Sequence, residues 1–314
     1  MHGTIAVTDH GWYERLRVLP GLEEVNFWKP SASRRFHAPE FSPFLFKLRA
    51  PHRAICGFAF FARYSILPDW LAWESFGEAN GTASFKELQE RIATIRDRIS
   101  FRGKPGAAEI GCILLVQPVF LSPHQWVDPP RDWPIRTQSH IGYDLATGEG
   151  ARVWSECLAR APDLRRSGAW REEREIPESA DPRYGAPQLI QPRLGQGTFR
   201  IAVTDAYGRA CAVTQEHSLP ALEAAHIRPY AEKGPHRVTN GLLLRADLHR
   251  LFDKGYVTVS PKLRLEVGRR LREDFANGRS YYPLQGRELR LPMSPSDRPD
   301  AQFLVWHREH RYLG

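Results

Sequence analysis

The sequence predicts an α+β protein in two parts: a small, strongly bent β-sheet or barrel with flanking helices, then a compact strand–loop–strand–helix unit. Three observations predict it. Short β-rich runs separated by turn residues fill the first half, a Pro-, Gly-, Arg- and Glu-rich stretch without sustained apolar periodicity occupies 161–197, and a close succession of strand and helix signals follows. With 314 residues and 42% hydrophobic content the chain can bury two ordinary cores. The expected division is a domain over 1–160, a linker over 161–197 and a second domain over 198–314.

The runs expected as strands are Thr4–Val7, Glu24–Trp28, Phe44–Leu48, Ala54–Ala62 and Gly111–Phe120, dominated by aromatic and branched residues that suit a pleated surface. Ser84–Ile99 reads as an amphipathic helix, with Ser84 as N-cap, Glu87 at N3, and Phe85, Leu88, Ile92, Ile95 and Ile99 on one face. A further helix is expected near Gly150–Arg160. In the second half, Thr198 is expected to cap a helix whose Phe199, Ala202, Val203, Ala206 and Tyr207 share one side. Leu222–Pro229 then runs from strand into loop, and Asn240–Leu244 forms a second strand. Asp247 stands where an N-cap is wanted, Leu248, Leu251 and Phe252 supply a buried stripe, and Gly255 can end the helix in a left-handed conformation.

A formal charge of +8 and a pI near 9.5 suit a polyanionic partner. Only seven residues are lysine, so most of the positive charge is arginine, the better fork for phosphate and guanine. Cys56, Cys112, Cys157 and Cys211 lie far apart with no C-x-x-C pair, which argues against a zinc knuckle or a disulfide framework and for buried thiols in a reducing cytosol. Asp9, His10 and Glu14 stand where a signal peptide needs an apolar core, and the most apolar stretch, Ala54–Trp73, is broken by Arg63, Pro68 and Asp69. The expectation is a cytoplasmic protein with no membrane span.

The chemistry concentrates in Cys211–Val259. His249 and Asp253, at i and i+4, share one face of a short helix, as two ligands of one cation must. Phosphodiester hydrolysis needs a deprotonated water in line with the leaving oxygen and a cation for the developing charge; a neutral imidazole such as His226 suits the first task. Leu222–Ile227, Asn240–Leu244 and Leu248–Asp253 read Leu-Glu-Ala-Ala-His-Ile, Asn-Gly-Leu-Leu-Leu and Leu-His-Arg-Leu-Phe-Asp. On these motifs the chain from about Thr198 to Val259 resembles the HNH endonuclease family, of the ββα-metal kind. The resemblance implies that His226 is the general base, Asn240 holds the loop and His249 binds the metal, one divalent ion (magnesium or manganese), with Asp253 as a further ligand. Many family members carry an acidic residue or histidine just before the catalytic histidine, where this chain has Ala225; Asp253 is expected to compensate, with Glu223 a weaker candidate. His217 and His236 are expected to be surface or packing residues.

In the first half, Asn26–Ser31, Phe44–Leu48 and Ala72–Gly77 with Asn80-Gly81 resemble a PUA-like domain, similar to the EVE and SRA-related readers of modified bases. That resemblance implies a bent barrel that takes a flipped base between aromatic rings, with Trp28 and Trp73 as the cage and Ser31 and Asn80 as hydrogen-bond partners. Together the two resemblances imply a modification-dependent restriction endonuclease acting on double-stranded DNA that carries 5-methyl- or 5-hydroxymethylcytosine. One such site cuts one strand, so a homodimer or DNA-driven pairing is expected for a double-strand break. The rival expectation is a non-catalytic reader of modified DNA or RNA with a degenerate HNH fold.

Overall fold

The computed structural model describes residues 1–98, 109–134, 137, 139–161 and 194–314. Ile99 and positions 162–193 of the expected linker lie outside them. The chain divides into two compact units, Met1–Arg193 and Leu194–Gly314.

The first unit runs β1 (His2–Thr8), α1 (His10–Arg17), β2 (Glu24–Lys29), β3 (Pro43–Leu48), β4 (Ile55–Pro68), α2 (Asp69–Phe76), α3 (Phe85–Arg98), β5 (Glu109–Phe120), β6 (His140–Asp144) and α4 (Gly148–Ala159). Its strands form one mixed sheet in the order β2-β5-β4-β3-β1-β6, with β1 parallel to β3 and the other neighbours antiparallel. The ladder is linear: among the described residues no pairing joins β2 to β6, so the sheet is not closed by hydrogen bonds into a barrel. Register shifts at Phe58/Phe60 and Phe61/Arg63 against β5, and at Phe46/Lys47 between β3 and β4, give the long β4 the local bending that bulges impose.

Both faces of this sheet are covered. Phe44, Phe46, Ala59 and Phe61 pack with Trp12, Tyr13 and Leu16 of α1, while Phe58 and Phe60 meet Trp154 of α4 at ring separations of 5.1 and 6.4 Å. Double coverage is why β3 is buried at every position and reads as an apolar run rather than an alternation. In α3, Ser84 Oγ accepts the Glu87 amide at 3.2 Å, and Glu87 accepts the amide of Ala83, one residue before the reciprocal partner expected of a capping box. Sequence periodicity misses α2 (Asp69–Phe76) as well as α1 and β6, of which the last two have a plain reason. α1 is short and set by the Asp9 cap, which accepts the Trp12 amide at 2.8 Å; β6 is an edge strand with no buried position.

The second unit runs α5 (Gln196–Ala206), β7 (Leu222–His226), β8 (Gly241–Arg245), α6 (Ala246–Asp253), β9 (Val257–Val259), β10 (Leu265–Val267), α7 (Arg270–Phe275) and α8 (Ala301–His310). Two expected caps are corrected. Gly195 caps α5, leaving Thr198 wholly buried within its first turn, and Arg245 caps α6, so Asp247 sits in the first turn and holds the Arg245 guanidinium. Gly255 does end α6 region with φ +79, at a point where a Cβ would lie 2.0 Å from the Arg311 carbonyl oxygen. β7 and β8 form an antiparallel pair that pairs His226 with Gly241 and Glu223 with Leu244. Leu222, Ala225, Leu242, Leu243, Leu248 and Phe252 join Phe199 and Val203 of α5 in one core. Among the described residues no helix is long and apolar enough to cross a membrane.

His307 ties α8 into that core. Its Nε2 donates to the Phe252 carbonyl at 3.0 Å, which leaves Nδ1 to accept the Thr258 hydroxyl at 2.9 Å, and its ring stacks on Phe252 at 3.7 Å. Burial pushes its pKa down to about 4 from 6.5. The unfolded chain therefore takes up the proton first as pH falls, so this contribution is complete above about pH 6.5 and is lost toward pH 4. His307→Ala is expected to cost about 3 kcal/mol at pH 7.5 and to flatten the acid-side loss of stability in thermal melts between pH 6.5 and 4.

Candidate active site

β7 delivers His226 at its last residue, and two neighbours hold the imidazole. Phe199 of α5 stacks on it at 3.9 Å and 13°, and His236 Nδ1 lies 2.9 Å from its Nε2. Its strand partner Gly241 lets Phe199 come that close, because a Cβ there would lie 2.4 Å from Val203 and 3.1 Å from Phe199 and would push α5 off the strand. Half-buried, His226 has its pKa pushed down to about 4, first by desolvation and then by the nearby His236 and His249 rings. It is neutral at physiological pH, as a proton acceptor must be.

Asn240 is wholly buried and its carboxamide does three things at once. Oδ1 accepts the Arg228 amide at 2.9 Å, and Nδ2 donates to the carbonyls of Arg228 at 2.9 Å and Pro235 at 3.0 Å. It thus locks the chain leaving His226 to the loop that carries His236. His236, expected to be a surface or packing residue, packs on Tyr230 at 4.5 Å and is in addition bonded to the candidate base. That bond was not expected because nothing in the local sequence separates His236 from other loop histidines, whereas the turn from Pro229 to Gly234 folds it back. His217 is exposed, as expected.

On α6, His249 is gripped from both sides. Nδ1 lies 2.6 Å from Glu223 Oε2 and Nε2 lies 3.3 Å from Asp253 Oδ2. Ala225 is fully buried in the core, so no donor stands at that strand position, and one of the two carboxylates on His249 comes from Glu223, the candidate ranked lower on sequence. Among the described residues, no group of three or more His, Cys, Asp or Glu side chains is arranged to hold a metal ion. The pair His249 and Asp253 does suit one ion, since two donors about 2.1 Å from a cation and at right angles lie about 3 Å apart.

In the first unit, Trp28 is half-buried and its indole Nε1 donates to the Asn80 carbonyl at 3.0 Å. Asn80 itself is fully buried: Oδ1 accepts from Asn26 at 2.9 Å and Nδ2 donates to Ala72 at 3.1 Å and Gly77 at 2.8 Å. The Asn80 side-chain amide, expected to meet a ligand, is engaged by Asn26 and the end of α2, while its backbone carbonyl seats the Trp28 indole. Trp73, half-buried on α2, lies 6.4 Å from the Phe85 ring, and the Ser31 hydroxyl lies 2.7 Å from that of Ser33. Trp28 and Asn80 are joined directly; no contact joins Trp73 or Ser31 to them among the described hydrogen bonds and ring pairs.

With this geometry in place, residues 211–260 match the family model HNH_2, described as HNH endonuclease, and the chain carries an HNH endonuclease domain there. No curated protein matches the chain. Among solved structures, the chain is similar to the ASCH protein of Zymomonas mobilis, with 12% identity and a TM-score of 0.35 over 49% of this chain and 94% of that one. It is also similar to the modification-dependent restriction endonuclease TagI, with 13% identity and a TM-score of 0.28 over 98% of this chain and 81% of that one.

Two outcomes are expected. Asn80→Ala should destabilise the chain by about 2–3 kcal/mol in urea unfolding, because it strands buried partners, while Ser31→Ala stays within about 0.5 kcal/mol. With the neutral form of His226 as the expected proton acceptor, kcat/KM for any DNA cleavage should rise through an acid limb near pH 4 and be level in this group above about pH 5.5, rather than turning near 6.5.

Proposed function

We propose that the chain is a modification-dependent DNA endonuclease. The second unit hydrolyses phosphodiester bonds at His226, and the first reads modified cytosine, 5-methyl or 5-hydroxymethyl, in double-stranded DNA. The observation that carries the nuclease half is the state of His226: neutral, ring-clamped by Phe199, with Nε2 engaged and Nδ1 making no hydrogen bond among the described residues. Nδ1 takes a proton from water as its oxygen attacks phosphorus, and the bond from phosphorus to the leaving oxygen breaks on the opposite side. His249 and Asp253 would hold a divalent cation, with Glu223 fixing the other nitrogen of His249. That ion, magnesium or manganese, supplies positive charge for the scissile phosphate and leaving oxygen.

The reader half rests on the sequence resemblance and on two half-buried tryptophans, Trp28 and Trp73, with Ser31 as a polar neighbour. Phosphate contacts place a duplex without reading it, so a nuclease of this size needs a second unit for selectivity. The protein is proposed to act in the cytoplasm as a homodimer or a DNA-driven pair, because one site cuts one strand. A second reading, a non-catalytic reader, is favoured by Ala225, which removes a usual ligand position.

Matched plasmids, unmodified or carrying 5-methyl- or 5-hydroxymethylcytosine, with magnesium or manganese, separate these readings. Cleavage confined to modified plasmid and reduced ~10²- to 10⁴-fold in His226→Ala is expected. Equal cutting of all plasmids would remove the modified-base reader, and binding without any cleavage by the intact protein would favour the non-catalytic one.

A further inference from the structure

We propose that His236 is the positioning residue of the catalytic base, accepting the Nε2 proton of His226 on its own Nδ1 and so leaving the lone pair of His226 on Nδ1, toward water. The inference rests on the proposed role of His226 as base.

The two ring nitrogens are 2.9 Å apart, and two neutral imidazoles share such a bond in only two ways. If His236 donates, His226 carries its proton on Nδ1 and has no lone pair left outside the pair. If His226 donates, Nδ1 is the acceptor and stays basic. A base therefore requires an acceptor at His236, and the fold holds that ring in place. The His236 ring stacks on Tyr230 at 4.5 Å and 17° and meets His226 at 66°, near perpendicular, so its in-plane nitrogen is presented to its neighbour. Phe199 touches both rings, at 3.9 and 5.7 Å. The backbone on either side is fixed, since the Pro235 carbonyl accepts from Asn240 and the Arg237 carbonyl accepts the Asn240 amide at 2.9 Å. When Nδ1 takes the proton of water, His226 becomes an imidazolium whose Nε2–H already has a partner, as the third member of a nucleophile–base–orienter set provides. No bond is made or broken at His236, and the proton on Nε2 stays with His226.

Two substitutions and one spectroscopic signature test this on the full chain. His236→Phe keeps a flat ring against Tyr230 without an acceptor, and His236→Asn returns an oxygen near the place of Nδ1. The expected result is a kcat for nicking of modified plasmid lowered ~10- to 100-fold in His236→Phe, with KM within about twofold, and most of the loss recovered in His236→Asn. Ring ¹⁵N shifts should show His226 protonated on Nε2 in the parent and as a mixture of tautomers in His236→Phe. Undiminished kcat in His236→Phe, a loss that His236→Asn fails to recover, or a parent His226 protonated on Nδ1 would each overturn the proposal. Failure of the base assignment is read separately: full activity in His226→Ala removes the base while the ¹⁵N result still decides whether His236 is the acceptor.

Discussion

The carboxamide of Asn240 is the constraint on which the candidate active site depends. A histidine at the end of an edge strand such as β7 has no intrinsic reason to keep one orientation, and the residues after it form a loop. Asn240 removes that freedom by pairing with both the amide and the carbonyl of Arg228 and reaching across to Pro235. Asn240 itself is wholly buried, so leaving its carboxamide unmatched would cost about 1–3 kcal/mol. The same residue heads β8, whose pairing with β7 sets the distance from His226 to the helix bearing His249. Position of the base, of its neighbour His236 and of the carboxylate-flanked His249 thus follow from one side chain and one two-stranded ladder.

Electrostatically the two halves of the site are opposites. Around His226 the neighbours are rings and apolar side chains, and desolvation keeps the imidazole uncharged. Around His249 stand two carboxylates, which favour positive charge nearby. β7 carries an environment that rejects a proton at rest and α6 one that welcomes a cation, and hydrolysis of a phosphodiester asks for both.

Much of this was legible in the sequence, for identifiable reasons. The strands β1 to β5 announce themselves because sheet burial selects apolar and branched residues, and α6 does so because its buried stripe has helical period. His226, Asn240, His249 and Asp253 are candidates that the resemblance to the HNH endonuclease family singles out. What escaped the sequence depends on contacts between distant positions. Glu223 reaches His249 across 26 residues, and nothing local ranks it above Asp253. His236 is a loop histidine until the Pro229–Gly234 turn folds it onto His226. Asn80 beside Gly81 has the composition of an exposed turn, yet its amide is consumed by Asn26, Ala72 and Gly77. Composition records burial averages; it does not record which polar group finds a partner. Closure of the barrel expected for the first unit is not legible for a similar reason, because strand count and bulges are readable while the pairing of the two edge strands is not, and no pairing joins them among the described residues.

The central claim is that the imidazole of His226, and no other group, removes the proton from the attacking water. Chemical rescue tests it most directly: nicking of modified plasmid by His226→Ala, followed as free imidazole is added. The account predicts a rate that rises with the concentration of neutral imidazole in His226→Ala and no such rise in His249→Ala. Unimpaired nicking by His226→Ala without imidazole, or rescue of His249→Ala in its place, would contradict it.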